Sequence, residues 1–218
     1  MAEVQLREGF KAYLEQFKKN TPIETQQKME TAIQELEDSE EGKGLQVGDQ
    51  VPNFVLPDAR GKEISITDIL KKGPAVITFY RGGWCPYCNM ELKAYQSILD
   101  EIHEAGAELV AISPESPDAS LSTKEKNELS FHVLSDKENS TAQDFNLVYR
   151  MPEYLIEIYK EKGLDVPGHN RDETWSLPVS ATYIADQSGN IIYEYTKADY
   201  KDRAEPSEIL SQLKQLNY

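Results

Sequence analysis

Near the start of the chain Leu6, Phe10, Tyr13, Leu14 and Phe17 recur three and four positions apart, the spacing that lines one face of a helix. Thr21-Pro22-Ile23-Glu24 carries a capping-box pattern with proline at the first helical position, and Met29, Ile33 and Leu36 continue one apolar face, which predicts a second helix. The acidic run from Glu35 to Glu41 and the Gly42-Lys43-Gly44 after it change the composition abruptly, placing a boundary near residue 44. Residues 1–44 are therefore expected to form a two-helix arm and residues 45–218 the main domain. An apolar stripe has to pack on something, either its own domain or a second copy, so a homodimer through the arm is one expectation.

Beyond residue 44, Val51 to Leu56 and Ile64 to Ile66 alternate about Asp58-Ala59-Arg60-Gly61, the pattern of a short hairpin, with a turn of helix after it. Ala75-Val76-Ile77-Thr78-Phe79-Tyr80 is a continuous β-rich run and predicts a strand buried on both faces. From Cys88 to about Ala105 the positions Leu92, Tyr95, Leu99 and Ile102 keep helical spacing, and Glu108 to Ser113 reads as a strand again. Strand, helix, strand implies a parallel, right-handed crossover. Phe131 to Leu134 adds a strand, Met151 to Lys162 a helix, Ala181 to Ala185 and Asn190 to Tyr195 a hairpin about Asp186-Gln187-Ser188-Gly189, and Pro206 to Leu216 a closing helix. The predicted class is α/β.

Composition narrows the picture. A hydrophobic content of 39%, spread along the chain, is that of a folded protein, and 218 residues hold one substantial domain with an appended segment. The formal charge of -15 opposes nucleic acid or an anionic membrane as partner. The first residues lack a basic stretch followed by an apolar one, and no apolar run approaches membrane-spanning length, so a cytoplasmic location is expected. His103, His132 and His169 are scattered, without metal-ligand spacing, and no metal or organic cofactor is expected. Two cysteines three positions apart cannot build a secreted disulfide framework; in a reducing compartment such a pair reads first as redox-active.

A thiol attacks as the thiolate, which a helix N-terminus favours through its unpaired N–H groups and dipole. Trp84-Cys85-Pro86-Tyr87-Cys88 lies where the buried strand ends and a helix begins. Pro86 suits the first helical turn, Gly82 and Gly83 let the loop bend, and Arg81 supplies a cation that lowers a nearby thiol pKa. Trp84 either controls access to the cysteines or packs beneath the loop. Glu91 orients the loop, carries a proton, or is an ordinary first-turn acid. The segment from Asp165 to Trp175, with Pro167, Gly168, His169, Asn170 and Arg171, is a lid, a partner-binding loop or a plain surface loop.

The same residues carry a resemblance. Trp84-Cys85-Pro86-Tyr87-Cys88 looks like the W-C-x-x-C of thioredoxins and the C-P-Y-C of glutaredoxins, while its surroundings resemble a peroxiredoxin. Val47-Gly48-Asp49-Gln50-Val51-Pro52-Asn53-Phe54-Val55-Leu56 is similar to the V-G-D-x-A-P-x-F-x-L of the alkyl hydroperoxide reductase and thiol-specific antioxidant family. The run from Phe79 to Leu92 is similar to that family's F-Y-P-x-x-x-T-P-x-C-x-x-E-L, and to the F-Y-R-G-x-W-C-P-Y-C of a peroxiredoxin-like subgroup. Ser135-Asp136 and Thr182 to Gly189 fall where later motifs of the family lie. The resemblance spans roughly residues 45 to 216 and implies a thioredoxin-like fold, a central mixed sheet flanked by helices, with the arm outside it.

Carried across residue by residue, Cys88 takes the peroxidatic position, Pro86 that of the loop proline and Glu91 that of the glutamate after the reactive cysteine. Cys85 replaces the active-site threonine, and Trp84, Pro86, Tyr87 and Ser180 would line the loop and substrate pocket. The implied activity is that of a thiol peroxidase: Cys88 attacks hydrogen peroxide or an alkyl hydroperoxide, Cys85 resolves the sulfenic acid to a disulfide, and a thioredoxin- or glutaredoxin-type donor reduces it. In a thioredoxin-like disulfide oxidoreductase the roles reverse and Cys85 attacks first. A redox-sensing or protein-binding module that turns nothing over is a third expectation. Two departures stand out. Ser180 occupies the position that holds arginine in many peroxiredoxins and a cis-proline in thioredoxins, and Arg81 stands where peroxiredoxins carry proline. Arg81 is the expected substitute for the missing cation.

Overall fold

The computed structural model describes residues 6–216. Helices α1 (Leu6–Asn20) and α2 (Ile23–Asp38) come first, then a small antiparallel hairpin of β1 (Val55–Pro57) and β2 (Glu63–Ser65) and the short α3 (Ile66–Leu70). The chain continues through β3 (Ala75–Phe79), α4 (Pro86–Ser97), α5 (Leu99–Glu104), β4 (Glu108–Ser113), α6 (Pro117–Lys126), β5 (His132–Ser135) and α7 (Ser140–Asp144). It ends through β6 (Val148–Arg150), α8 (Glu153–Glu161), α9 (Val166–Asn170), β7 (Ser176–Pro178), β8 (Ala181–Ala185), β9 (Ile191–Thr196) and α10 (Pro206–Gln215).

The central sheet has five strands in the order β5-β4-β3-β8-β9. β3 pairs parallel with β4, β4 parallel with β5, and β8 runs antiparallel to both β3 and β9. Every residue of β3 is buried, as the unbroken apolar run requires of a strand covered on both faces. The pleat then divides it. Val76 joins Leu92, Tyr95, Ile102, Ile209 and Leu213 of α4, α5 and α10 on one face; Ile77 and Phe79 meet Ile66, Ile69, Ala142 and Phe145 on the other. Fully burying each of these aliphatic side chains is worth about 1.5–3 kcal/mol, so the two layers fix the height of the loop that follows β3.

The expected α/β class and mixed sheet are present, and several details differ. The stripe from Cys88 to Ala105 is not one helix: with Pro86 in its first turn as expected, it breaks at Ile98 (φ -113°, ψ 12°) into α4 and α5. No capping box forms at Thr21. Pro22 stays extended as the N-cap (φ -54°, ψ 143°), no side chain caps the helix, and the Gln26 amide instead donates to the carbonyls of Lys18 and Thr21. Asp165–Trp175 is not a plain loop: the Asp165 carboxylate accepts from the Gly168 N–H to start α9, and Trp175 is buried against α8.

The arm lies on its own chain. Phe10 and Tyr13 of α1 meet the ring of Tyr87 edge-on, with centroids 5.2 Å away in each case, and Ala32 of α2 joins a satellite core with Leu155, Ile158 and Tyr159 of α8.

Candidate active site

β3 ends at Phe79, and the chain turns through Gly82 and Gly83 into α4. Gly82 sits at φ +150°, and a Cβ there would lie 2.2 Å from the Trp84 indole nitrogen; one on Gly83 would lie 1.9 Å from the Thr123 hydroxyl. The pair of glycines therefore lets Trp84 fold back and α6 come close. The Asn89 amide donates to the carbonyls of Gly83 and Cys85, and the Asn127 amide donates to Asn89 at 2.7 Å, which ties the loop to α4 and α6.

Cys85 is the N-cap of α4 and Cys88 lies in its first turn, with Pro86 between them as the sequence predicts. Both sulfurs are unoxidised and buried, Cys85 with 2% of its surface exposed and Cys88 with none. The two thiols lie on one turn of α4, and their proton affinities divide. Interaction with Cys88 lowers the Cys85 thiol from 9 to about 6 against the cost of burial, with the Arg81 and Arg203 guanidiniums adding to the effect. Burial, then the interaction with Cys85 and the charge there, push Cys88 well above the usual thiol range. The directions of the two shifts make Cys85 the more acidic thiol of the pair.

Each cysteine has a buried arginine near it. Arg203, from the segment before α10, reaches Cys88 Sγ with Nη2 at 3.8 Å and holds the Glu91 carboxylate with Nη1 at 2.5 Å. Both partners of that ion pair are buried. Burial lifts the Glu91 carboxyl to about 7 even so, because desolvation outweighs the attraction of Arg203. Arg81 sits elsewhere. Its guanidinium carbon lies 4.5 Å from the Tyr200 ring centroid, 5.0 Å from Trp84 and 6.0 Å from Tyr159, and Nη2 donates to the Tyr159 hydroxyl at 2.6 Å. Among the described residues no carboxylate pairs with it, and its Nε has no hydrogen-bond partner.

The guanidinium that touches Cys88 is therefore Arg203, and the cation expected from Arg81 serves the Cys85 side. Ser180, where many peroxiredoxins carry arginine, is buried with an unpartnered hydroxyl. Sequence reasoning missed Arg203 and the tyrosines around Arg81; Lys201-Asp202-Arg203 reads as a charged surface stretch, and nothing local marks its last residue as buried. It also left His169 without a companion. His169 lies 3.6 Å from the buried Glu115, which accepts from the Thr123 hydroxyl and has its carboxyl raised by burial. Among the described residues no group of three His, Cys, Asp or Glu side chains converges as a metal site would need, and no helix is long and apolar enough to cross a membrane.

A cavity opens onto Cys85 but not onto Cys88. Its roof is Tyr13, Leu14, Phe17 and Met29 of the arm, and its walls include Trp84, Tyr159 and Tyr200. A second cavity meets it at Met29, Arg81, Tyr159 and Tyr200.

Comparison with known proteins agrees with this frame. The chain is 31% identical over 104 residues to peroxiredoxin Bcp of Escherichia coli (strain K12), a match covering 47% of this chain and 65% of that protein. It is 27% identical over 114 residues to the thiol-disulfide oxidoreductase ResA of Bacillus thuringiensis subsp. konkukian, covering 52% of this chain and 65% of that protein. The chain thus spans just under two thirds of the length of these curated relatives. The crystal structure of peroxidoxin BcpB from Mycobacterium tuberculosis superposes with a TM-score of 0.65 at 20% identity, over 80% of this chain and 99% of that one, which makes the fold thioredoxin-like. The sequence profile of the AhpC/TSA family matches residues 47–194, a stretch that runs from before β1 into β9 and carries both cysteines, so the chain belongs to the AhpC/TSA family.

Proposed function

We propose that the chain is a thiol-dependent peroxidase that reduces hydrogen peroxide or alkyl hydroperoxides through Cys88, with Cys85 as resolving partner. The observation that carries this reading is the Arg203 guanidinium 3.8 Å from Cys88 Sγ, fixed there by Glu91. A preorganised cation in a water-poor site stabilises the thiolate and the charge that moves onto the leaving oxygen.

The steps balance. The Cys85 thiolate takes the Cys88 proton and leaves Cys88 as the thiolate beside Arg203. Cys88 attacks one peroxide oxygen, the O–O bond breaks, and the leaving oxygen collects the proton from Cys85 and departs as water or an alcohol. The regenerated Cys85 thiolate attacks the Cys88 sulfenic acid, a proton from solvent helps water to leave, and the disulfide forms. An external thiol, the role that the resemblance gives to a thioredoxin- or glutaredoxin-type donor, returns the pair to the reduced state. We retain residues 1–44 as an arm and 45–218 as the catalytic domain, in a cytoplasmic setting that keeps thiols reduced. Leu6 and Phe10 of the arm's stripe are buried against its own chain, and Tyr13, Leu14 and Phe17 stay half-buried, the part of the stripe on which a homodimer contact would draw.

A second reading has an observation of its own. Cys85 faces the cavity and holds the acidic thiol, as the attacking cysteine of a disulfide oxidoreductase would. Rapid mixing of the reduced protein with hydrogen peroxide, followed by Trp84 and Trp175 fluorescence, separates the two. The peroxidase reading expects oxidation that vanishes in Cys88→Ser and that in Cys85→Ser still reaches the Cys88 sulfenic acid, slowed by loss of the Cys85 proton carrier and with no disulfide formed. Oxidation lost mainly in Cys85→Ser establishes the oxidoreductase instead.

A further inference from the structure

The carboxylate-free Arg81 is the anomaly of this molecule. A buried guanidinium is ordinarily paired, because an uncompensated charge taken out of water costs several kcal/mol. Here aromatic faces, one tyrosine hydroxyl and the Cys85 thiol attend it, no carboxylate does, and its Nε is orphaned. Two cavities meet at this residue.

The cavity that reaches Cys85 has a particular chemistry. Aromatic and aliphatic side chains line its depth; Lys18 and Lys162 stand exposed at its rim, Lys162 with its Nζ 5.2 Å from the Phe17 ring centroid, while Lys201 is paired with Asp199 at 2.8 Å and at 3.5 Å with Glu30, the one acid of the lining. The chain as a whole carries -15, so this concentration of cations runs against the overall field. The cavity volume of about 160 Å³ is smaller than the roughly 300–1,000 Å³ of sites for drug-sized molecules, so it has room only for a ligand of a few heavy atoms.

The order of events in the disulfide decides what has to enter. A reductant must attack Cys85 Sγ, since Cys85 is the sulfur that faces the cavity and Cys88 lies behind it with Arg203 waiting to receive the thiolate. Cys85 is 2% exposed at a cavity that Tyr13, Leu14 and Phe17 of α1 also line, so a sulfur borne on another protein's surface is hindered from aligning with the S–S bond while α1 is in place. We propose that the cavity takes a small thiol bearing a carboxylate, and that such a thiol, rather than a redox protein, reduces the Cys85–Cys88 disulfide. This rests on the peroxidase reading above and narrows its reductant. The carboxylate sits on Arg81 or the rim lysines, and the thiolate attacks Cys85 Sγ. The S–S bond breaks, and Cys88 leaves as the thiolate. A second thiolate attacks the outer sulfur of the mixed disulfide and releases Cys85 with a small-molecule disulfide, so two thiols supply the two electrons.

The test uses the full chain oxidised with diamide, so that it does not depend on peroxide. Reduction by 3-mercaptopropionate, 2-mercaptoethanol and cysteamine is followed by tryptophan fluorescence, with each rate expressed per thiolate, and thioredoxin is run at the same thiol concentration. The carboxylate-bearing thiol is expected to be at least about tenfold faster than the ammonium-bearing one, and a Lys18→Glu/Lys162→Glu variant, its fold checked by circular dichroism, to lose or invert that order. Equal rates for the three thiols, an order unchanged in the variant, a faster reaction with thioredoxin, or no disulfide formed by diamide each overturn the proposal. If the order holds but peroxide does not oxidise the reduced parent, the cavity assignment stands and the peroxidase reading fails.

Discussion

The two cysteines share one helix turn, yet the regions around them are built in opposite ways. On the Cys88 side everything is closed: the sulfur has no exposed surface, Arg203 is fixed by Glu91, and the charges cancel within the core. On the Cys85 side the sulfur borders a cavity, Arg81 is caged by Trp84, Tyr159 and Tyr200, and no acid cancels it. A paired buried cation serves a reaction whose charge stays inside the protein. A buried cation without an acid holds a place for charge that arrives, whether the Cys85 thiolate or an anionic ligand.

The comparison breaks most visibly at Glu91. Glu91→Ala leaves Arg203 buried without its partner, and unfolding in urea is expected to show a loss of about 3–5 kcal/mol. Peroxide oxidation should slow by roughly 10²–10³-fold as the guanidinium loses its aim at Cys88. A variant as stable and as fast as the parent would remove the Arg203–Glu91 pair from the mechanism.

The next contrast is in proton affinity. The fall of the Cys85 thiol from 9 to about 6 corresponds to on the order of 4 kcal/mol of preference for its thiolate in the folded state. A depressed acid stabilises the fold fully above its unfolded pKa, and that stabilisation is lost as pH falls through the folded value. Iodoacetamide labelling read by mass spectrometry should therefore place carbamidomethyl on Cys85 with a midpoint near pH 6, leaving Cys88 unlabelled. Labelling of Cys88 first, or a midpoint near 9, contradicts the division of roles.

Arg81→Met sharpens the comparison by doing little to stability. Relief of an uncompensated charge opposes the loss of cation–π contact, so urea unfolding should stay within about 2 kcal/mol of the parent. The Cys85 midpoint should rise in the same variant but stay below 9, because Cys88, the larger cause of the depression, remains. A loss as large as that of Glu91→Ala would mean that Arg81 is as firmly paired as Arg203. The smallest effect is expected at Tyr13→Ala, which removes one edge-on contact to Tyr87 worth about 1 kcal/mol. It also thins the roof, so Cys85 alkylation at pH 7 should quicken; an unchanged rate would show that α1 does not limit access.

How much of this was legible in sequence depends on how local the cause is. The β3 run, the Pro86 start of α4, the glycine turn and the α8 and α10 stripes follow from nearest-neighbour spacing, and they are present. β6 and β7 went unread because each is three residues long and its partner lies far along the chain. α6 was missed for a different reason: Ser116 caps it and Pro117 begins it, but Ser120 and Thr123 on its buried side give no apolar stripe. Arg203 was illegible because its partner Cys88 is 115 positions away.

The sequence by itself determined the α/β class, the helix N-terminus under the cysteines and the family to which the motif belongs, because those rest on short-range spacing and on residue chemistry. Only the tertiary contacts set which cation meets which sulfur, which thiol is the more acidic and which faces a cavity. These depend on burial and on contacts between segments distant in the chain, and removal from water changes the energy of a charge far more than any local pattern does.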